Sequence, residues 1–136
     1  MKEVTLVITS CGRFDLLEET LDSFFECNTY PIKKIIITED STEGKKLERL
    51  ISKYDGKNQD FRLIVNETRL GQLKSIDKAY REIDTEYIFH CEDDWKFFKK
   101  GFIDKYLIGS NYFNPIMRTL LEGNIDEFGR MLEEIF

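Results

Sequence analysis

The sequence predicts an α/β fold, with a mostly parallel open sheet, helices on both faces and a helical C-terminal tail. Apolar, β-branched runs alternate along the first two-thirds of the chain with segments whose apolar residues recur at helical spacing. The resulting order, β-α-β-α-β-α-β, is typical of parallel strands joined by crossover helices. The length of 136 residues predicts one domain over residues 1–136, with an α/β part at 1–107 and the tail at 108–136.

Four apolar runs are predicted to be the strands of this sheet. Residues 4–9, with the sequence VTLVIT, form a continuous β-branched and apolar run, as expected of a strand covered on both faces. Similar runs follow at residues 34–38, 61–65 and 86–91. Each run is bounded by polar, glycine or proline residues, which are typical of turns.

The helices are predicted from apolar residues that recur every three or four positions. The periodic residues are Leu16, Leu17, Leu21, Phe24 and Phe25 in the first helix, Leu47, Leu50 and Ile51 in the second, and Leu70, Leu73, Ile76, Tyr80 and Ile83 in the third. Ser41 or Thr42 is expected to cap the second helix. The tail predicts a short helix at 101–107, a helix from residue 114 and an amphipathic face at 125–135, which would cover the sheet or form a homodimer interface.

Charge and composition argue against several classes of function. A net charge of −6 and a pI near 4.9 disfavour broad electrostatic binding to nucleic acid or to an anionic membrane surface. No signal-peptide pattern follows Met1, and no apolar stretch approaches the ~20 residues that a transmembrane helix needs. The three cysteines, Cys11, Cys27 and Cys91, lack metal-site spacing and are expected to be reduced and mostly buried, which favours a cytoplasmic location.

Polar clusters follow the predicted strands, and these supply the candidate functional residues. The clusters are Thr9, Ser10 and Arg13 after the first strand, Glu39, Asp40 and Ser41 after the second, Asn66 to Arg69 after the third, and Glu92, Asp93 and Asp94 after the fourth. In a parallel sheet the carboxyl ends of the strands share one edge, where ligands bind. Each cluster is compatible with an ordinary solvated loop, but their convergence on one edge favours a nucleotide site.

The stretch EYIFHCEDDW, residues 86–95, carries the clearest chemical signal. Three consecutive acids follow a buried strand, and adjacent carboxylates repel one another unless a cation lies between them. Mg²⁺ or Mn²⁺ carried by the phosphates of a nucleotide would relieve that repulsion, because both ions favour carboxylate and phosphate oxygens. The lone His90 lies inside the strand, opposite in face to Cys91, and is expected to be packed and hydrogen-bonded rather than catalytic.

Three segments, taken in order, resemble one family. VTLVITSCGRFDLLEETLDSF resembles the first strand, nucleotide loop and first helix of inverting, family 2 type glycosyltransferases, and IIITEDST resembles their second strand with its acidic pair. NETRLGQLKSIDKAYREIDTEYIFHCEDDW resembles the segment that leads to the metal-binding acids. The resemblance covers about residues 3–105 and implies the Rossmann-like GT-A fold of nucleotide-diphospho-sugar transferases.

The resemblance implies roles for the strand-end residues. The candidate nucleotide-binding residues are Thr9, Ser10, Arg13, Asp40, Arg69 and Asp93. Thr9 and Ser10 would line the base and ribose pocket, and Asp40 would accept a hydrogen bond from a uracil ring. Arg69 would reach the base edge or a phosphate, since a planar guanidinium suits either partner. Asp93 would hold the ribose hydroxyls.

The resemblance also implies a metal site. Asp94 would ligate a Mn²⁺ or Mg²⁺ ion that bridges the two phosphates, and Glu92 is the second candidate ligand, at a position where many relatives have Asp. Trp95 would form a wall beside the donor sugar. Where this chain has Cys11, the family often has an aromatic side chain.

The implied reaction is inverting transfer of a sugar from a nucleotide diphosphate, with a UDP-sugar as the favoured donor, to an unknown glycan or other hydroxyl acceptor. Such a transfer needs a carboxylate base, and in the family this base lies in a second half downstream. No acid after Asp94 stands in a recognisable base motif. The chain is therefore expected to be a transferase whose acceptor site is borrowed or shared; alternatively it is a non-catalytic nucleotide-sugar binding module or a truncated remnant.

Other nucleotide-binding classes match the sequence less well. A nucleotidyltransferase is a more distant alternative, since the turn at residues 10–13 has only one Gly and one Arg. The chain has no GxxxxGK[ST] motif, which argues against a P-loop enzyme, and its first turn lacks GxGxxG, which argues against a dehydrogenase.

Overall fold

A computed structural model describes residues 1–108, which form a four-stranded, entirely parallel sheet flanked by helices on both faces. The strands are β1 (Val4–Ser10), β2 (Lys34–Glu39), β3 (Phe61–Val65) and β4 (Tyr87–Glu92). The helices are α1 (Phe14–Cys27), α2 (Gly44–Ile51), α3 (Gln72–Tyr80) and α4 (Phe102–Ile108), and a 3₁₀ helix spans Ser52–Lys57. The predicted α/β fold is confirmed, whereas the tail helices predicted from residue 114 onwards lie outside the described residues.

The order of the strands places β1 at the centre of the sheet. The order is β3-β2-β1-β4, so the chain adds β2 and β3 on one side of β1 and then crosses over to place β4 on the other side. Every residue of β1 is buried. The strand order reverses between β1 and β4, and open α/β sheets bind ligands beyond the strand ends at such a reversal. The topology therefore puts the ligand crevice next to the acids that end β4.

The side chains of β1 alternate between two cores. Val4, Leu6 and Ile8 belong to the core that β1 shares with α1 and α2. Val7 belongs to the core on the opposite face, where it packs with Ala79 and Tyr80 of α3. Because successive residues of a strand point to opposite faces, one apolar run serves both helical layers.

An aromatic cluster joins α1 to α4 and closes the larger core. The fully buried Phe24 meets Phe97 and Phe102 edge-on, with ring centroids 5.6 and 5.8 Å apart, and the last two rings stack at 4.5 Å. Such aromatic pairs add about 0.5–1.5 kcal/mol each beyond the burial of their area. Trp95 lies at the edge of this cluster, 44% exposed and 6.1 Å from Phe97. The segment that follows the acids of β4 is thus anchored to the core.

The helix α3 is shorter than its apolar pattern predicts. It begins at Gln72, after Gly71 at a φ of 89°. Leu73, counted among its periodic apolar residues, is 64% exposed. Leu73 lies in the first turn of α3, whereas the buried residues of this helix, Ser75, Ala79 and Tyr80, begin two positions later. Leu73 therefore lies in the predicted helix without being buried in the core.

The start of α2 also differs from the prediction. Glu43 occupies the N-cap position and makes no capping hydrogen bond with its side chain. Ser41 instead accepts a hydrogen bond on Oγ from the backbone N–H of Glu43, at 3.3 Å, and Thr42 has a φ of 71°. The predicted cap from Ser41 or Thr42 is not formed, because the helix begins at Gly44 and Glu43 is the residue at the N-cap position.

Several individual side chains lie where the sequence places them. Cys27 and Cys91 are buried, Cys11 is partly buried, and all three are free thiols. His90 lies on the α3 face, where its Nδ1 is 2.6 Å from the hydroxyl of Tyr80. Within the described part of the chain, no helix is long and apolar enough to cross a bilayer.

We predict that Leu21→Ala, at the centre of the larger core, will lower the free energy of unfolding by about 2–5 kcal/mol, because the truncation leaves a cavity in close-packed surroundings. Leu73→Ala is the matched control, since the same atoms are removed from a mostly exposed side chain, and we expect a change within about 0.5 kcal/mol. Urea unfolding followed by circular dichroism measures both values. Equal losses in the two variants would contradict this assignment of the core.

A second prediction concerns pH, because His90 is the single histidine in the sequence. Burial lowers its pKa to about 4, so the unfolded chain, in which a histidine has a pKa of about 6.5, binds the proton more readily. Stability should therefore fall as the pH decreases, by about 1 kcal/mol between about pH 7 and about pH 5.5. Urea unfolding at the two pH values measures this, and His90→Gln should remove most of the difference. An unchanged pH dependence in the variant would refute the assignment.

Candidate functional site

A cavity of about 270 Å³ opens at the carboxyl edge of the sheet, over the ends of β1, β2 and β4 and beside the start of α3. It brings most of the predicted site residues together in one wall. These are Thr9, Ser10, Arg13, Asp40, Arg69, Glu92 and Asp93. Asp94, predicted as the principal metal ligand, is not part of this wall, although it lies next to Arg13.

The loop after β1 is held by the buried carboxylate of Glu39, the last residue of β2. Glu39 is 0% exposed and accepts three hydrogen bonds: from the hydroxyl of Ser10 at 2.9 Å, from the N–H of Gly12 at 2.7 Å and from the N–H of Ser41 at 3.0 Å. Gly12 has a φ of 74°, which is accessible to glycine at little cost. Glu39 therefore shapes the cavity rim without lining the cavity, a role that the sequence did not indicate.

Asp40, the next residue, holds the loop that leads into α3. Its Oδ1 accepts hydrogen bonds from the side chain of Asn66 at 2.8 Å and from the N–H of Leu70 at 2.7 Å, and its Oδ2 accepts one from the N–H of Gly71 at 3.0 Å. Burial alone would raise the pKa of Asp40, but these hydrogen bonds and the charge of Arg69 outweigh it and lower the pKa. Asp40, which lines the cavity, is thus a carboxylate whose Oδ2 accepts only one of the three hydrogen bonds.

A polar network behind Asp40 joins Asn66, one of the predicted strand-end residues, to Ser75 and Lys78, which were not predicted. Asn66, which is fully buried, donates to the hydroxyl of Ser75 at 2.9 Å and accepts a hydrogen bond on Oδ1 from the ammonium of Lys78 at 2.9 Å. The signal in the sequence was the spacing of Ser75 and Lys78, three residues apart on one face of α3. The network fixes the amide of Asn66 so that its NH₂ group faces Asp40.

Two threonine hydroxyls in the cavity wall have no hydrogen-bond partner. Thr9 and Thr38 are register neighbours across β1 and β2, they are 8% and 0% exposed, and both line the cavity. Their Oγ1 atoms are buried and unpaired within the described residues. Leaving such a group unpaired costs about 1–3 kcal/mol, so these two hydroxyls would gain free energy from a polar ligand that reached them from the cavity. Thr9 was predicted, whereas Thr38 was missed because it falls inside an apolar strand.

The acid cluster at the end of β4 is partly neutralised by Arg13. Two nitrogens of Arg13, Nε and Nη2, donate to the two carboxylate oxygens of Asp93, the first at 3.2 Å, and Nη2 lies 3.7 Å from Oδ2 of Asp94. The Asp93 side chain is 3% exposed, while those of Arg13 and Asp94 are 50% and 45% exposed. The hydrogen bonds and charge of Asp93 raise the pKa of Arg13, and Asp94 and Glu92 add to this. The pair brings together residues eighty positions apart.

Asp94 and Glu92 are the residues of this site that could ligate a divalent cation. Among the described residues, no three or more His, Cys, Asp or Glu side chains form a group that could hold a metal ion. Glu92 accepts a hydrogen bond from Gln72 at 3.0 Å, and Asp94 is half exposed beside the cavity. Their hard oxygens suit Mg²⁺ or Mn²⁺, ions that proteins commonly bind through one or two carboxylates together with substrate phosphates. The donor set therefore fits a cation that arrives with a phosphorylated ligand.

Two further residues flank the site. Arg69 lines the cavity, and its Nη2 donates to Sγ of Cys11 at 3.4 Å, a weak contact that leaves the guanidinium available. Trp95 packs edge-on against Phe89, with ring centroids 6.4 Å apart, and does not line the cavity. The predicted role of Trp95 beside a donor sugar stays a prediction.

The fold and the cavity together define an α/β domain whose ligand site lies at the topological switch point of a parallel sheet. The profile of Glycosyl transferase family 2 matches residues 5–104. The chain therefore belongs to glycosyl transferase family 2. No individually curated protein matches it in sequence.

Solved structures are similar to the chain in fold. The mannosyltransferase PcManGT from Pyrobaculum calidifontis, in complex with GDP-Man and Mn²⁺, is 22% identical, with a TM-score of 0.57 over 67% of this chain and 27% of that one. S. aureus TarS 1-349 in complex with UDP is 18% identical, with a TM-score of 0.65 over 83% of this chain and 33% of that one. The same protein has also been solved with UDP-GlcNAc. The chain thus spans about a third or less of these structures, and the likeness establishes the GT-A fold.

We predict that Glu39→Gln will lower the free energy of unfolding by about 1–3 kcal/mol, because the new amide group cannot accept all three buried hydrogen bonds. Glu43→Gln, which alters an exposed carboxylate in the adjoining loop, is the control and should change stability by less than about 0.5 kcal/mol. Chemical unfolding measures both. A Glu39→Gln protein as stable as the control would show that the three donors find other partners.

Proposed function

We propose that this chain binds a nucleoside-diphosphate sugar, with UDP as the favoured carrier, and acts as the donor-binding part of an inverting glycosyltransferase. The observation that carries the proposal is the cavity at the strand ends of a family 2 domain, with its unpaired Thr9 and Thr38 hydroxyls beside the carboxylate of Asp40. A buried polar wall of this kind gains free energy when a polar ligand pairs with it.

The nucleobase of the proposed ligand is assigned from the hydrogen-bonding groups of the cavity wall. The edge of uracil presents one N–H donor between two carbonyl acceptors. Asp40 has an accepting site left on Oδ2, and the hydroxyls of Thr9 and Thr38 are free to donate. The single accepting site left on Oδ2 matches the one N–H of uracil better than the two adjacent donors on the Watson–Crick edge of guanine, which supports uridine over guanosine.

The remaining candidates would bind the ribose and the diphosphate. Asp93 would accept hydrogen bonds from the ribose hydroxyls, while Arg69 would reach the base edge or a phosphate. Asp94, assisted by Glu92, would hold a Mn²⁺ or Mg²⁺ ion. When bound, that ion would stabilise the negative charge of the departing diphosphate. The Mn²⁺ and GDP-Man in the PcManGT structure are consistent with this chemistry in a related fold.

The second candidate function is a nucleotide-sugar binding module that does not transfer. The carboxylates in the cavity wall are all engaged: Asp40 with amide donors, Glu92 with Gln72 and Asp93 with Arg13. Within residues 1–108 each carboxylate of the wall also has a role in the proposed donor site, which leaves none of the three as a dedicated base. Transfer would need a base from elsewhere, supplied by a partner or a second copy of the chain.

The donor site is tested by calorimetric titration of the full chain with UDP and with GDP, with and without Mn²⁺. We expect Mn²⁺-dependent binding of UDP, weakened about tenfold or more in Asp40→Asn because a hydrogen bond to a charged group is lost. Asp94→Ala should abolish the Mn²⁺ dependence. Asp84→Asn, an exposed carboxylate paired with Lys33, is the control and should bind like the original protein.

The possible outcomes separate the two functions. A folded protein that binds neither nucleotide at millimolar concentration would refute the proposed donor site. Preferential binding of GDP would show that the nucleobase is guanine rather than uracil. Release of UDP from a bound UDP-sugar marks a transferase or hydrolase, whereas binding without release over hours favours the binding module.

A further inference from the structure

The residue before α1, Arg13, has a fixed backbone and a side chain that reaches the acid cluster. Its neighbour Gly12 donates to the buried carboxylate of Glu39 at 2.7 Å, and the carbonyl of Arg13 accepts the N–H of Leu17 in the first turn of α1 at 3.0 Å. Its guanidinium lies in the cavity wall, half exposed. The side chain can therefore change partners while its backbone stays in place.

In the structure this guanidinium is the cation that compensates Asp93. A carboxylate that is 3% exposed needs a charged partner, and the two-pronged contact from Nε and Nη2 supplies one. The same Nη2 is 3.7 Å from Oδ2 of Asp94. A positive charge thus already stands beside the carboxylate that is the best candidate to ligate a divalent cation.

We propose that Arg13 is a built-in counter-cation that keeps divalent metal off the acid cluster until a nucleoside diphosphate is bound. The proposal rests on the proposed donor site and adds the order in which the nucleotide and the metal bind to it. A divalent ion on Asp94 would lie close to the guanidinium, and like charges at short distance oppose each other. Metal alone is therefore disfavoured.

A diphosphate removes this conflict because it offers anionic oxygens to both cations. A guanidinium pairs with phosphate through a planar fork, so Arg13 would exchange part of its contact with Asp93 for the diphosphate. The metal would then share phosphate oxygens with Asp94. Each ligand thereby favours the other, and by linkage the factor is the same in both directions.

The test measures the affinity for Mn²⁺ without any turnover. Trp95 is the single tryptophan in the sequence and adjoins Asp94, so quenching of its emission by Mn²⁺ reports binding at the cluster. The titration is made on the full chain with Mn²⁺ alone, and again with UDP, with pyrophosphate and with uridine. UDP should tighten Mn²⁺ binding by about tenfold, in the usual range of coupling between sites, whereas uridine should leave it unchanged. A response to pyrophosphate would assign the coupling to the diphosphate rather than to the nucleoside.

The variant Arg13→Gln should bind Mn²⁺ alone about tenfold more tightly, and its coupling to UDP should be smaller, with the part that comes from phosphate oxygens shared with the metal retained. Arg62→Gln, which removes an exposed guanidinium paired with Glu82, is the matched control and should behave like the original chain. An affinity of Arg13→Gln for Mn²⁺ alone that stays within about twofold of the original, or is weaker, overturns the proposal.

A second variant covers the case in which Arg13→Gln does not fold, since it leaves Asp93 buried without a cation. Arg13→Lys keeps the positive charge beside Asp93, so it should fold. Its single ammonium group cannot contact Asp93 and Asp94 together as the planar guanidinium does, so it should bind Mn²⁺ alone about threefold more tightly. No change in this variant overturns the proposal. If neither UDP nor uridine binds, the proposed donor site is refuted. The Mn²⁺ affinities of the Arg13 variants and of the original chain, measured without nucleotide, still decide the role of Arg13.

Discussion

The organisation of this site depends on one buried carboxylate, that of Glu39. It ends the second strand, is shielded from solvent and accepts hydrogen bonds from Ser10, Gly12 and Ser41. A buried charge is tolerated only when its hydrogen-bonding capacity is met, so the loops after β1 and β2 must converge on it. This requirement sets the path of the chain into α1 and thereby the position of Arg13.

The neighbouring Asp40 imposes the matching constraint on the other side of the cavity. Glu39 reaches the loop after β1, whereas Asp40 reaches Asn66 and the turn at Leu70 and Gly71. Two consecutive acids at one strand end thus hold two separate loops. The cavity between those loops is preformed by hydrogen bonds that do not involve a ligand, which reduces the ordering cost that binding would otherwise carry.

The acids at the end of β4 also need partners for their charge, and there the partner is a guanidinium rather than a set of backbone and hydroxyl donors. Among the described residues, Arg13 is the guanidinium that pairs with these three consecutive carboxylates, and its pairing with Asp93 leaves Asp94 half exposed at the rim. A cation at Asp94 would need oxygens from a bound phosphorylated ligand to complete its shell. The proposed dependence of metal binding on nucleotide is a consequence of this charge balance.

The sequence by itself determined the order of the elements, the parallel sheet and the edge where the polar residues collect, because apolar periodicity and right-handed crossovers are local rules. It also predicted Asp40 and Asp93 as site residues near one another. It did not indicate the structural role of Glu39, the place of Thr38 in the cavity wall or the exposure of Leu73. Only the tertiary structure decided these three points, because each donor is matched to its acceptor by the strand register and by long-range contacts. The pair of Arg13 and Asp93 is one such contact.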